Sequence, residues 1–196
     1  MAVKVKICGL KSMYDIETAN ITQPDYVGFV FAKSKRQISP EHALQMKQAL
    51  DKNIKAVGVF VDENQEFIRN LVNRGVIDMV QQYRPKDTDY GVPIIQGIRV
   101  ENATHIIETT AEYVLFDTYS KGAYGGTGET FDWELLQGYK KPFFLAGGLN
   151  CGNVAQAVRI TKPYCVDVSS GVEEHGIKSR EKVIDFVNMV RNAKVG

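Results

Sequence analysis

Apolar residues along the chain gather in short β-rich runs: Val3 to Ile7, Tyr26 to Phe31, Ala56 to Val61, Ile77 to Gln81, Pro93 to Ile98, Tyr113 to Phe116, Pro142 to Ala146 and Tyr164 to Val168. These eight candidate strands are apolar on both faces, as strands are when buried between a central core and covering helices. Between several runs the period becomes helical. Phe67, Ile68, Leu71 and Val72 form a stripe after Asn64 that ends at Arg74-Gly75, a cationic last turn and a glycine stop. Val183, Ile184, Phe186, Val187 and Val190 form another after Ser179. Ser12-Met13-Tyr14-Asp15 reads as a capping box, and Pro40 suits the first turn of a helix carrying Leu44, Lys47 and Leu50.

Strands that alternate with helices pair in parallel, because parallel neighbours need a crossover. Eight such units predict an α/β fold of one domain over residues 1–196, a (β/α)8 TIM barrel; a flavodoxin-like open sheet needs fewer strands. The link between Gln81 and Pro93 contains RPKDTDYG, too short and polar for a normal helix, so the fourth crossover is expected to be shortened to a turn or irregular loop. No linker, fixed-period repeat or low-complexity tract divides the chain, which is expected to hold the barrel and nothing else.

Composition narrows the partners. At 196 residues and 44% apolar content the chain can bury a substantial core, and a formal charge of +1 argues against binding nucleic acid or a membrane surface by net charge. A small molecule is the expected partner. No apolar run approaches the roughly 20 residues that span a bilayer, and the N-terminus enters a strand pattern at once, so a cytoplasmic location is expected. Cys8, Cys151 and Cys165 are odd in number and widely spaced, which suits neither a disulfide framework nor a zinc knuckle. His42, His105 and His175 lack ligand spacing and read as surface residues, so no metal site is expected.

Barrel enzymes build their sites at the carboxyl ends of the strands. Here those ends offer Cys8, Phe31, Asp62, Gln81, Asp117, Gly147 and Asp167 to Ser169. Only Cys8 and Asp117 are read as able to exchange protons with a substrate. Each has a purely structural alternative: a strand-end cysteine is commonly a small buried hydrophobe, and an aspartate there commonly caps a helix or sits in a loop. Arg36, flanked by Lys33 and Lys35, reads alone as solvated surface, and paired glycines and serines read alone as turns. Cys165 inside a strand and Cys151 at a helix start stay with the structural reading.

Several motifs, in order over nearly the whole chain, resemble those of the phosphoribosylanthranilate isomerases. They are Lys6-Ile7-Cys8-Gly9-Leu10, Gly28-Phe29-Val30-Phe31 with Lys33 to Arg36, Val57-Gly58-Val59-Phe60, Phe116-Asp117-Thr118, Gly125-Gly126-Thr127-Gly128, Phe131-Asp132-Trp133, Ala146-Gly147-Gly148-Leu149-Asn150 and Asp167 to Glu173. The resemblance implies an Amadori rearrangement of N-(5-phosphoribosyl)anthranilate in tryptophan biosynthesis, with a phosphoribosyl anthranilate as partner, no cofactor, and a monomer or homodimer. It makes Cys8 the general base and Asp117 the general acid. Arg36 becomes the partner of the anthranilate carboxylate, Gly147, Gly148, Asp167, Ser169, Ser170 and Gly171 the phosphate region, and Gln81 a further substrate contact. A thiol, ordinarily near 8.5, needs only a modest shift to serve as base, whereas Asp117 must be raised to donate at neutral pH. The segment Gly122 to Thr130 is expected to close over substrate.

One departure stands out. The family's usual Gln-Leu-His-Gly at the fourth strand end is replaced by Gln81-Gln82-Tyr83-Arg84, where Tyr83 or Arg84 is the candidate substitute for the histidine. The related isomerase of histidine biosynthesis uses an aspartate where this chain has Cys8, and a non-catalytic phosphosugar binder would not need both Cys8 and Asp117.

Overall fold

A computed structural model of the chain describes residues 2–84, 88–102, 109–118 and 130–193. Eight parallel strands close into a barrel in sequence order: β1 (Lys4–Cys8), β2 (Tyr26–Val30), β3 (Lys55–Phe60), β4 (Met79–Gln82), β5 (Ile94–Val100), β6 (Tyr113–Thr118), β7 (Phe143–Leu145) and β8 (Cys165–Val168). β8 pairs back onto β1, which removes every free sheet edge. Each strand matches one apolar run of the sequence, with ends that coincide or differ by at most two residues. β5 and β6 run further than their apolar cores because they pair through Arg99–Asp117 and Val100–Thr118, so Asp117 belongs to its strand instead of following it.

The helices are α1 (Met13–Thr22), α2 (Pro40–Ala49), α3 (Gln65–Asn73), α4 (Val154–Thr161) and α5 (Arg180–Asn192). Ser12 and Asp15 form the capping box of α1 reciprocally. Ser39 caps α2 with Pro40 in the first turn, and Asn64 caps α3. The buried face of α2 differs from the sequence reading. It is formed by Ala43 and Met46, with Leu50 closing it, while Lys47 reaches Asp78 as an ion pair and Leu44 is only half-buried. Cys151 lies in the turn before α4, not at the helix start, its sulfur beside the Lys182 carbonyl. Among the described residues no helix is long and apolar enough to cross a membrane.

Period-2 alternation divides the strand side chains between two cores. Tyr26, Val57, Met79, Ile95, Leu115, Phe144 and Cys165 pack together inside the barrel. Cys165 is therefore a buried hydrophobe, as the structural reading has it. The intervening residues, such as Val5, Ile7, Val27, Phe29, Val80, Phe116 and Leu145, face outward onto Ile16, Met46, Ile68, Leu71 and Phe186 of the helices. The strands carry apolar residues on both faces because both faces meet other protein.

After β8 the chain makes a short antiparallel hairpin, β9 (Glu173–Glu174) and β10 (Ile177–Lys178), that the sequence reading lacks. His175 and Gly176 turn it with positive φ at both positions, the backbone a tight two-residue hairpin requires. The pairing sets Glu173 opposite Lys178 at the rim of the barrel.

Candidate active site

Toward the carboxyl ends of the strands the inner face changes from apolar to polar. Cys8 of β1, Gln81 of β4, Asp117 of β6 and Asp167 of β8 line a single cavity there, joined by Arg36, Gly147, Gly148, Ser169 and Ser170 from the loops. Val30, Val59, Val61, Ala146 and Leu149 supply apolar wall. Among the strand-end candidates Phe31 and Asp62 do not line the cavity, and neither does Gly171. It packs against the loop after β7, where a Cβ would fall 1.9 Å from the Leu149 carbonyl oxygen, so its lack of a side chain serves the contact between the two late loops. The Gly122 to Thr130 segment lies outside the described residues up to residue 129, as does His105.

Asp117 is buried, and Tyr83 donates its hydroxyl to Oδ2 at 2.9 Å. Burial raises the carboxyl to about 6, helped by the nearby charge of Asp167 and opposed by the Tyr83 hydroxyl, the Thr118 backbone and Arg99. That is the shift a neutral-pH proton donor requires. Cys8 moves differently from expectation. Burial pushes its thiol up and outweighs the downward pull of Lys6 and Lys178, with Asp167 adding to the rise. The modest shift expected from sequence is therefore corrected: in the free protein the thiol is held in its protonated form.

The lysine beneath Cys8 went unnoticed in the sequence. Lys6 is completely buried and its Nζ lies 2.8 Å from Asp167 Oδ2. Burial pulls its ammonium down, but Asp167 and Cys8 more than compensate, so it stays charged. The other oxygen of Asp167 is buried with no hydrogen-bond partner among the described residues. Gln81 likewise holds a buried side-chain oxygen without a protein partner.

Arg36 is buried, not a solvated surface cation. Its Nε and Nη2 grip Glu173 bidentately at 2.7 and 2.8 Å. Glu173 also accepts from Lys178 at 2.8 Å, and the two cations bring its carboxyl down to about 2 against the opposing effect of burial. Lys178 in turn donates to the Ser169 carbonyl at 2.9 Å, and the Ser169 hydroxyl donates to the Cys8 carbonyl. One hydrogen-bonded chain therefore links the arginine, the loop after β8 and the end of β1. Lys6 was legible as the same-face neighbour of Cys8 in the alternating Lys4-Val5-Lys6-Ile7-Cys8. Glu173 and Lys178 were visible only as charges, because the hairpin that joins them was not.

Arg84 makes an exposed ion pair with Asp62, whereas Tyr83 turns into the cavity, so Tyr83 is the residue that occupies the site of the departure. His42 is half-buried with its ring nitrogen 2.8 Å from the Lys11 carbonyl oxygen, and His175 is exposed on its hairpin turn. No group of three potential metal ligands occurs among the described residues.

A closed parallel eight-stranded barrel whose cavity lies at the carboxyl ends of its strands has the architecture of a (β/α)8-barrel enzyme. The profile described as "N-(5'phosphoribosyl)anthranilate (PRA) isomerase" matches residues 5–189. The N-(5'-phosphoribosyl)anthranilate isomerase of Thermoanaerobacter sp. (strain X514) is 47% identical over 203 residues, covering 98% of this chain and all of the relative. The crystal structure of phosphoribosyl anthranilate isomerase from Thermotoga maritima superposes with a TM-score of 0.85 at 34% identity, covering 96% of this chain and 98% of that one. A phosphoribosyl anthranilate isomerase in complex with reduced 1-(o-carboxyphenylamino)-1-deoxyribulose 5-phosphate gives 0.82 at 32% identity with the same coverage. Monomers generated from the dimeric phosphoribosylanthranilate isomerase of Thermotoga maritima give 0.81 at 32% identity, again with 96% and 98% covered. The chain belongs to the N-(5'-phosphoribosyl)anthranilate isomerase family.

Proposed function

We propose that Cys8 and Asp117 are the general base and general acid of an Amadori isomerisation. The chain's activity is that of its family, the isomerisation of N-(5'-phosphoribosyl)anthranilate in tryptophan biosynthesis. The observation that carries the assignment is a buried Asp117, raised to about 6, in one cavity with Cys8. Asp117 gives its proton to the furanose ring oxygen, the C1–O bond breaks, and the anthranilate nitrogen supplies the electrons for a C1=N iminium. The Cys8 thiolate then takes the C2 proton, the C2 electrons neutralise the iminium, and the resulting enolamine becomes the ketone as C1 takes a proton back from the Cys8 thiol and the C2 hydroxyl gives its proton to the Asp117 carboxylate.

The productive free form has a thiolate and a protonated carboxyl. With the thiol above Asp117 in pKa, it is the minor of two forms carrying the same number of protons, the major one being thiol with carboxylate. Its share is constant between the two pKa values. It falls below about pH 6, where both groups become protonated. Lys6 and Lys178, which pull the thiol down, enlarge that minor population.

Glu173 holds one edge of the Arg36 guanidinium and leaves the Nη1–Nη2 fork for the anthranilate carboxylate, a planar anion that suits it. Gly147 and Gly148 with Ser169 and Ser170 offer backbone N–H groups to the phosphate, and Asp167 and Gln81 offer acceptors to ribose hydroxyls. The fourth crossover is read as shortened to a turn or irregular loop, which the absence of helix among the described residues between Gln82 and Ile94 supports. We take the barrel as one domain over 1–196 in the cytoplasm, and the dimeric relative favours a homodimer. Calorimetric titration with the reduced product analogue named above tests the site. One analogue per chain is expected, with binding weakened at least tenfold in Arg36→Ala; no binding to the parent protein contradicts the reading.

A further inference from the structure

We propose that Tyr83 is a positioning residue for proton donation, its hydroxyl fixing the carboxyl of Asp117 so that one oxygen is held and the other is turned to substrate. The inference rests on the reading of Asp117 as the acid and adds a residue to it. Tyr83 follows directly on β4, two positions after Gln81, and its Oη lies 2.9 Å from Asp117 Oδ2. The ring is seated against the backbone of β5 at Gly97. A Cβ there would fall 2.8 Å from the ring Cδ1 and 2.9 Å from Cε1, so this mid-strand glycine makes room for the tyrosine. The Arg99 guanidinium lies over the ring at 5.7 Å. A side chain seated on backbone and covered by a cation has little freedom, and neither does the carboxyl it holds.

A phenol suits the task because it remains a neutral donor. Burial, with the charges of Asp117, Asp167 and Cys8, drives the Tyr83 hydroxyl well above its ordinary range, so it keeps its proton wherever the protein works. Asp117 is faced by Tyr83 after β4, Arg99 on β5, its own Thr118 backbone on β6 and Asp167 on β8, the last neutralised by Lys6 of β1. Cys8 of β1 and Lys33 and Arg36 after β2 line the same cavity. Of these only Tyr83 holds the carboxylate through a side-chain hydrogen bond, which favours the ionised form.

Tyr83→Phe keeps the seated ring and removes the bond. A hydrogen bond to a charged group corresponds to roughly one pH unit, so the acid limb of the kcat/KM profile should move up by about that much. Lost orientation lowers kcat, while the same shift enlarges the minor thiolate–carboxyl share in the free protein, so the position of the limb is the deciding readout and the melting temperature should change little. Gly97→Ala, which displaces the ring, should move the limb the same way and provides the test if the phenylalanine variant does not fold. A limb and kcat superimposable on the parent overturn the proposal. Asp117→Asn separates the two readings: near-parental turnover in it removes Asp117 as acid and Tyr83 with it, whereas an inactive Asp117→Asn beside an unmoved Tyr83→Phe profile removes Tyr83 alone.

Discussion

Gly28 and Cys8 are direct partners across β1 and β2, and a Cβ added to Gly28 would lie 2.6 Å from the Cys8 sulfur. The glycine in the middle of β2 is therefore what lets the thiol occupy its position. Gly28→Ala should displace the sulfur by several tenths of an ångström and lower kcat by about 10- to 100-fold, since small misplacements of a reacting group are costly. Steady-state kinetics check this on protein whose melting curve is first compared with the parent; an unchanged kcat removes the steric argument.

Lys6 and Asp167 form an ion pair closed off from solvent on the lysine side. Removing one partner of such a pair strands the other, so Lys6→Met should cost about 3–5 kcal/mol in denaturant unfolding. Replacing both, as in Lys6→Met with Asp167→Leu, should recover much of the loss. The single variant should also raise the Cys8 thiol, because Lys6 is the largest influence holding it down. Alkylation rates against pH measure that shift, and a single variant as stable as the parent would show the pair to be dispensable.

The raised carboxyl of Asp117 carries a stability cost whose sign is fixed. Its folded pKa of about 6 lies above the ordinary aspartate value, so the folded state binds the proton more tightly. Stability from this group is complete below about pH 4 and is lost as the pH rises through 6. Asp117→Asn should therefore be more stable than the parent at pH 7.5, by about 3 kcal/mol, with the difference vanishing at low pH. Unfolding free energies across pH 4 to 8 check it, and a less stable variant at pH 7.5 would contradict it.

Glu173 has the opposite sign. Held down to about 2 by Arg36 and Lys178, it contributes stability above its ordinary value of about 4.3 that is lost as the pH falls toward 2. Glu173→Gln should flatten the acid side of the stability profile and raise KM severalfold by releasing the Arg36 fork. An unchanged KM would mean that the arginine needs no such brace.

The architecture was legible because it is local and repetitive. Each strand announces itself as a short apolar run, and closure follows from eight of them alternating with helices. Residues at strand ends followed from the same pattern, which is why Cys8, Gln81, Asp117 and Asp167 share the cavity. What escaped depends on partners distant in sequence. Lys6 and Asp167 are 161 positions apart, and Arg36 and Glu173 are 137 apart, so no periodicity joins them. The upward shift of Cys8 likewise follows from burial under the loops, a property no single strand displays. The packing of Gly171 against Leu149 was not legible because a glycine near an anion loop and a glycine under a neighbouring carbonyl look alike in sequence.

The central claim is that one thiol and one carboxyl at this mouth perform the two proton transfers. The loss of phosphoribosylanthranilate fluorescence, followed with purified parent, Cys8→Ala and Asp117→Asn proteins, tests it most directly. The expected result is rapid decay with the parent and rates lower by about 10²- to 10⁴-fold with each variant, both folded by circular dichroism. Near-parental decay with either variant would contradict the account.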